Sequence, residues 1–323
     1  MNILVVRNDK LGDFITALPT IYVLKKYDPH NKIIVCVAPL NKSLAEAMPF
    51  IDKVIVDDFD SSLTLAKKMR AEKIDASITL FSNTKVAIAQ FFAGIKVRIA
   101  PATKIAQIFY NRRIKQRRSQ VMMAEFEYNL ELAKALFEDI DLSFPSPLVK
   151  IDELQKQKVY SDFCDKYQID KNKKIIAFHP GFGGSSDANW TISEYIELAQ
   201  ELLGREDIQI VFTFGPGEDK LYESVKAASL TGVVLYRSEG SLMDFATLIS
   251  SFELFISTST GTYHLAAMVG TPTMTFFADT LFASSKRWKS ISDEKIQKNR
   301  MIPLDVSKRQ VFFQSIKKEM AAL

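Results

Sequence analysis

The sequence predicts an α/β protein of about two domains, built from parallel sheets wound with helices. Three observations predict it. Along the first half, short β-rich runs alternate with helical patterns at the spacing of βαβ units. A strand-forming run stands at the N-terminus and passes at once through a polar loop into a helical pattern, which starts a parallel sheet. The stretch Leu254–Phe277, LFISTSTGTYHLAAMVGTPTMTFF, reads as strand, loop, helix and strand. A chain of 323 residues gives each of two domains enough length for its own core.

In chain order, Ile3–Val6 is the first strand, Arg7 to Asp13 a polar loop, and Phe14–Tyr27 a helix. Asp13 then stands at the helix entrance, where the dipole favours its charge and its carboxylate can cap the helix. Pro19 should kink this helix or mark a later start. Strands at Lys32–Val37, Lys53–Val56 and Ala76–Leu80, with a helix at Ser61–Ala71 between them, make the first half one open, doubly wound domain. The cluster Arg112, Arg113, Lys115, Arg117 and Arg118, beside Phe109 and Tyr110, fits either a site for phosphates or carboxylates or a solvated basic face. Helical patterns at Met122–Phe137 and Lys150–Tyr167 follow, with the linker between Pro145 and Asp170.

In the second half, the strand Lys174–Phe178 runs into His179-Pro180-Gly181-Phe182-Gly183-Gly184-Ser185, a loop whose glycines let backbone approach a ligand. Thr191-Ile192-Ser193-Glu194 is a capping box opening a helix with Tyr195, Leu198, Ala199, Leu202 and Leu203 on one face. After the strand Ile208–Phe214, the turn Gly215-Pro216-Gly217 leaves Glu218 at the next helix entrance. There it fits either a ribose-binding carboxylate or a simple helix-start charge. A strand at Val233–Tyr236 and a helix at Ser241–Ser250 lead into the central stretch. In that stretch Ser259, Thr260, Gly261, Thr262 and His264 surround a helix N-terminus, whose unpaired N–H groups suit a diphosphate. The same residues also fit a helix cap and a core histidine. Asp305–Leu323 reads as an amphipathic helix with Val306, Val311, Phe312 and Ile316 as its buried positions.

Composition narrows the class. Apolar residues make up 47% and charged residues 25%, as in ordinary globular proteins, which excludes a disordered chain. A net charge of +4 with interspersed signs argues against a nucleic-acid binder, while leaving room for local basic patches facing an anionic substrate or a membrane surface. Cys36 and Cys164 form no metal pattern and no disulfide framework, which suits a reducing compartment. The N-terminus lacks the features of a secretory signal and no apolar run is long enough to span a bilayer. The expectation is a cytoplasmic protein with the surface of a membrane open to it.

Taken together, the motifs resemble those of glycosyltransferase family nine, the lipopolysaccharide heptosyltransferases. They are Arg7-x-Asp9-x-Leu11-Gly12-Asp13 with Leu18-Pro19; His179-Pro180-Gly181 with Gly183-Gly184-Ser185 and Asn189-Trp190; Gly215-Pro216-x-Glu218; and Ser259-Thr260-Gly261-x-x-His264-Leu265-Ala266-Ala267 with Gly270-Thr271-Pro272. The resemblance spans nearly the whole chain. It implies the GT-B fold of two Rossmann-like, doubly wound domains facing across a cleft. Residues 1–167 would bind the acceptor, 168–304 the nucleotide sugar, and 305–323 would form a helix crossing back to the first domain.

It further implies an inverting, metal-independent transfer of heptose from ADP-heptose to the inner core of lipopolysaccharide or lipooligosaccharide, with no cofactor. Asp13 would be the catalytic base; Gly183, Gly184, Ser185, Glu218, Ser259, Thr260, Gly261, Thr262 and His264 would bind the donor. Arg7, Lys10, Arg112, Arg113, Arg117 and Arg118 would meet an anionic glycolipid acceptor during transient contact with a membrane surface. The chain departs from the pattern at Ala188, where relatives often carry lysine, and at Ser259, where they often carry aspartate. Lys10, Lys286 or Arg287 could replace the missing cation. A different sugar donor, a protein or capsule acceptor, and a non-catalytic nucleotide-sugar-binding protein are the alternatives.

Overall fold

The computed structural model describes residues 1–58, 61–103, 105–181 and 189–323. The chain divides into two compact units, residues 1–145 and 146–323. The first contains β1 (Asn2–Val6), α1 (Leu11–Tyr27), β2 (Lys32–Val37), α2 (Lys42–Glu46), β3 (Lys53–Val56), α3 (Ser62–Ala71), β4 (Ala76–Thr79), α4 (Thr84–Phe92), β5 (Val97–Pro101), β6 (Arg112–Ile114) and α5 (Glu125–Lys134). The second contains α6 (Glu153–Tyr167), β7 (Lys174–His179), α7 (Ile192–Gln200), β8 (Ile208–Phe214), α8 (Asp219–Ala227), β9 (Val234–Arg237), α9 (Leu242–Ile249), β10 (Leu254–Thr258), α10 (Gly261–Met268), β11 (Thr273–Ala278), α11 (Ser285–Trp288), β12 (Gln297–Ile302) and α12 (Val306–Ala321).

Each unit holds a six-stranded sheet, ordered β3-β2-β1-β4-β5-β6 in the first and β12-β11-β10-β7-β8-β9 in the second. Neighbouring strands run parallel in both. Read from its own first strand, the second sheet repeats the order of the first. The central strands are apolar on both faces because helices cover both, so Ile3 to Val6 and Leu254 to Ile256 are all buried. In each sheet the order reverses once, between β1 and β4 and between β7 and β10. Ligands of such sheets bind in the crevice at the carboxyl ends of the strands flanking that reversal.

Several elements differ from the sequence-based expectation. α1 starts at Leu11 and runs through Pro19, so Asp13 lies inside its first turn and does not cap it. The helix is buried along most of Phe14 to Leu24, and that packing outweighs the hydrogen bond lost to proline. Residues Arg112 to Ile114 of the basic cluster form an edge strand, β6, paired to β5. The second unit begins at Ser146 rather than near Gln168. The reason is α6, whose Phe163 ring packs 5.5 Å from Tyr236 and 6.1 Å from Phe252.

The helix expected to cross back to the first domain buries Phe313, Ile316 and Met320 in the second unit's own core beside α7. Val306 and Val311 are exposed at 81% and 72%. Of the expected positions, Ile316 is buried and Phe312 packs half-buried against the same core. Among the described residues no helix is long and apolar enough to cross a membrane.

Candidate active site

In the first unit the chain leaves β1 at Arg7, whose N–H still donates to Cys36 O at 3.0 Å and extends the ladder by one residue. This places the Arg7 side chain at the sheet reversal, only 2% exposed. Three carboxylates converge on it: Nε donates to Asp9 at 2.9 Å, Nη1 to Glu125 at 3.2 Å and Nη2 to Asp13 at 2.5 Å. Glu125, the first residue of α5, also accepts from Arg118 Nη1 at 2.6 Å. A buried guanidinium persists because each donor meets an acceptor in its fixed fork. Burial alone lowers the pKa of Arg7, but Asp9, Asp13 and Glu125 outweigh it and hold the pKa above the usual arginine value. Burial pushes the Asp9 carboxyl up to about 6 against the pull of Arg7. The Asp13 side chain keeps 18% of its surface exposed, so it is fixed in place yet reachable.

Next to this group, Asp57 at the end of β3 accepts from Asn8 Nδ2 at 2.6 Å and pairs with Lys85 in the first turn of α4. Asn83 caps that helix, accepting from Val86 N–H at 2.9 Å. Asp57, Lys85 and Glu125 were not singled out from sequence. The signal that could have found the first two is positional, since Asp57 directly follows β3 and Lys85 lies in the first turn of the helix after β4. Of the basic residues predicted to meet an acceptor, the structure brings Arg7 and Arg118 together through Glu125. Arg112, Arg113 and Arg117 remain exposed, with Arg112 Nη1 donating to Ala135 O at 2.8 Å, and Lys10 is exposed at the N-cap position of α1.

In the second unit, His179 ends β7 and pairs in register with Ser257 near the end of β10. Its Nδ1 lies 3.0 Å from Thr213 Oγ1 and its Nε2 lies 3.7 Å from Glu218 Oε1; burial lowers its pKa. Glu218 precedes α8 but makes no side-chain cap bond. Its carboxylate turns back to accept from Gly215 N–H at 2.7 Å and lies against the Cα of Gly181. This orientation goes beyond a helix-start charge.

Thr260 occupies the N-cap position of α10 without a side-chain cap bond, and its Oγ1 lies 2.8 Å from Thr262 Oγ1. Gly261 opens the helix, so the first-turn N–H groups that no intrahelical carbonyl can take lie beside these hydroxyls. Ser259 is half-buried and its N–H donates to Phe276 O at 3.1 Å. His264 is buried, its Nδ1 has no partner among the described residues, and burial lowers its pKa to about 4. Its imidazole is therefore neutral at neutral pH and has an unused nitrogen. Gly183, Gly184, Ser185 and Ala188 lie outside the described residues. Trp190 packs with Phe276, Phe313 and the Arg309 guanidinium, a structural position.

Two doubly wound parallel domains in one chain are the architecture of the GT-B glycosyltransferases. Within that class, the model of glycosyltransferase family 9 (heptosyltransferase) matches residues 62–309, and the chain belongs to this family. It is 38% identical over 301 residues to a Haemophilus influenzae protein named "Putative glycosyltransferase", covering 90% of this chain and 86% of that one. It is 24% identical over 286 residues to lipooligosaccharide heptosyltransferase 2 of Campylobacter jejuni, covering 87% and 82%. Its fold superposes on the Escherichia coli ADP-heptose lps heptosyltransferase II with a TM-score of 0.77 at 20% identity, covering 99% of each chain.

Proposed function

We propose that the protein is an inverting transferase that moves heptose from ADP-heptose to a hydroxyl of the inner core of lipopolysaccharide or lipooligosaccharide. The observation that carries this reading is the partly exposed Asp13 carboxylate, held at 2.5 Å by a buried arginine where the first sheet reverses its strand order. A sugar hydroxyl does not ionise near neutrality, so it needs a base as it becomes a nucleophile. The acceptor oxygen attacks C1 of the heptose, the bond from C1 to the diphosphate oxygen breaks, and the acceptor proton passes to Asp13. Attack from the face opposite the leaving ADP inverts the anomeric centre.

The second unit supplies the donor side. Negative charge gathers on the leaving diphosphate, and the first turn of α10 with Thr260, Thr262 and neutral His264 offers donors to it without an added proton. Glu218 accepts the ribose hydroxyls beside Gly181, where no side chain intervenes. The reaction requires the first unit to deliver Asp13 and the acceptor to the sugar carried by the second. Since the acceptor is a glycolipid, transfer takes place at the cytoplasmic face of a membrane.

Ser259, where the family often carries aspartate, favours one other reading: the same chemistry on a different nucleotide sugar. Turnover of ADP-heptose against a panel of UDP- and GDP-sugars, with heptose-deficient core glycolipid as acceptor, separates the two. The proposal expects ADP-heptose to be consumed and the product to carry the inverted anomeric configuration by NMR. Consumption of another donor alone, or retention of configuration, contradicts it.

A further inference from the structure

Residues 76–124 contain nine Lys or Arg and no Asp or Glu, while the rest of the chain has 33 basic against 38 acidic residues. A chain with a formal charge of +4 thus concentrates its positive charge in one stretch of the first unit. The same stretch exposes large apolar side chains. Phe91 and Phe92 end α4 at about half exposure, and the turn Ile105–Phe109 packed against α4 exposes Ile105 at 77% and Ile108 at 65%.

These side chains form one patch. The Phe91 ring lies 5.7 Å from Phe92 and 5.8 Å from Phe109, and Arg98 holds its guanidinium 5.5 Å from Phe91 while Nε donates to Phe109 O at 2.7 Å. Register places a second cation on the same side. Arg113 of β6 pairs with Ala100 of β5, and Ala100 packs with Ala87 of α4 and Ala106 of the turn. Arg113 and Lys96 are both exposed. Apolar side chains flanked by cations, with no acid in any of these segments, match the boundary between anionic headgroups and acyl chains. An apolar partner alone would not require the cations, and a polyanion alone would not require four exposed Phe and Ile side chains.

We infer that this face, formed by the end of α4, the turn Ile105–Phe109 and the β6 edge, docks the protein on an anionic lipid bilayer. The apolar side chains enter the boundary while Arg98, Arg113 and Lys96 sit among the headgroups. This deepens the reading of the acceptor as a glycolipid and rests on it for its purpose. Binding to vesicles needs neither donor nor acceptor, however, so its failure would leave the transfer reading standing.

The test is co-flotation of the full chain with vesicles of phosphatidylcholine alone or mixed equally with phosphatidylglycerol, at low and high salt. Wild type is expected to float with the mixed vesicles, to ignore the neutral ones and to detach as salt rises. Ile105→Ser with Ile108→Ser should weaken this about tenfold, and Lys96→Glu with Arg113→Glu should do the same. All four positions are exposed, so both variants should melt as wild type does. The inference is overturned if wild type does not prefer the anionic vesicles, or if either folded variant floats as wild type does. Failure to bind any vesicle would leave the face to an acidic macromolecule instead.

Discussion

A Cβ atom added to Gly181 would stand 1.8 Å from Glu218 Oε1. Two loops, one after β7 and one after β8, are thus in contact through a carboxylate that occupies the space a side chain at 181 would need. The clashing atom is the free end of a flexible chain, so Gly181→Ala should fold and displace the carboxylate. If Glu218 binds the ribose, the variant should bind ADP about tenfold more weakly, a change of about 1.4 kcal/mol, with little change in melting temperature. Calorimetric titration with ADP checks this; unchanged affinity would remove Glu218 from the nucleotide site.

Arg7 holds three carboxylates, so replacing it leaves buried charges unpaired. Arg7→Ala should cost about 3–5 kcal/mol of stability, read from urea unfolding. Arg7→Lys keeps the charge but cannot reproduce the fork, so Asp13 should lose its fixed position while the donor site is untouched. The expected result is a fall in kcat of about tenfold or more with an unchanged KM for the donor. A rise in donor KM alone would show that Arg7 does not act through Asp13.

The His264 pKa is depressed to about 4 from an unfolded value of 6.5, and the sign of its contribution follows from that. The native imidazole stays neutral while the unfolded chain takes up a proton, so stability present above pH 6.5 is lost as pH falls toward 4. The loss approaches about 3 kcal/mol. Asp9, whose folded pKa is raised, contributes with the opposite sign over an overlapping window, so the readout is the difference between wild type and His264→Gln. That difference should change with pH between 6.5 and 4 and level off above 6.5. A pH-independent difference would mean that His264 is not held neutral by burial.

The face that α12 buries is testable by contrast. Ile316→Ala removes a side chain from the second unit's core and should cost about 2–5 kcal/mol in denaturant unfolding. Val311→Ser changes an exposed position and should stay within about 0.5 kcal/mol. Equal costs would contradict the packing of this helix.

The periodicity of the sequence made the fold legible. Parallel strands covered on both faces read as apolar runs, so β2, β3 and β8 were found at their observed bounds and β1 with its start one residue late. The edge strands β6 and β12 were not, because Arg112-Arg113-Ile114 and the mixed polar run Gln297–Ile302 carry no apolar signal. The start of α1 was missed because Gly12 and Pro19 weaken local propensity, and tertiary burial decides instead.

At the candidate site, motif order and spacing singled out Asp13, Glu218 and the loop from Ser259 to His264. They could not show that Arg7 turns inward, since pairing with Glu125 joins residues 118 positions apart. The basic cluster split without warning too: Arg118 joins the buried network through Glu125, while Arg113 lies on the edge strand of the sheet.

The central claim is that Asp13 takes the proton of the acceptor hydroxyl. Asp13→Asn keeps the shape and a partner for other groups but removes the base, so turnover of ADP-heptose onto a core acceptor should fall by about 100-fold or more. ADP affinity measured on the same sample should stay unchanged, because the proposed nucleotide site lies in the second unit. Turnover within a few-fold of wild type, with ADP still bound, would contradict the account.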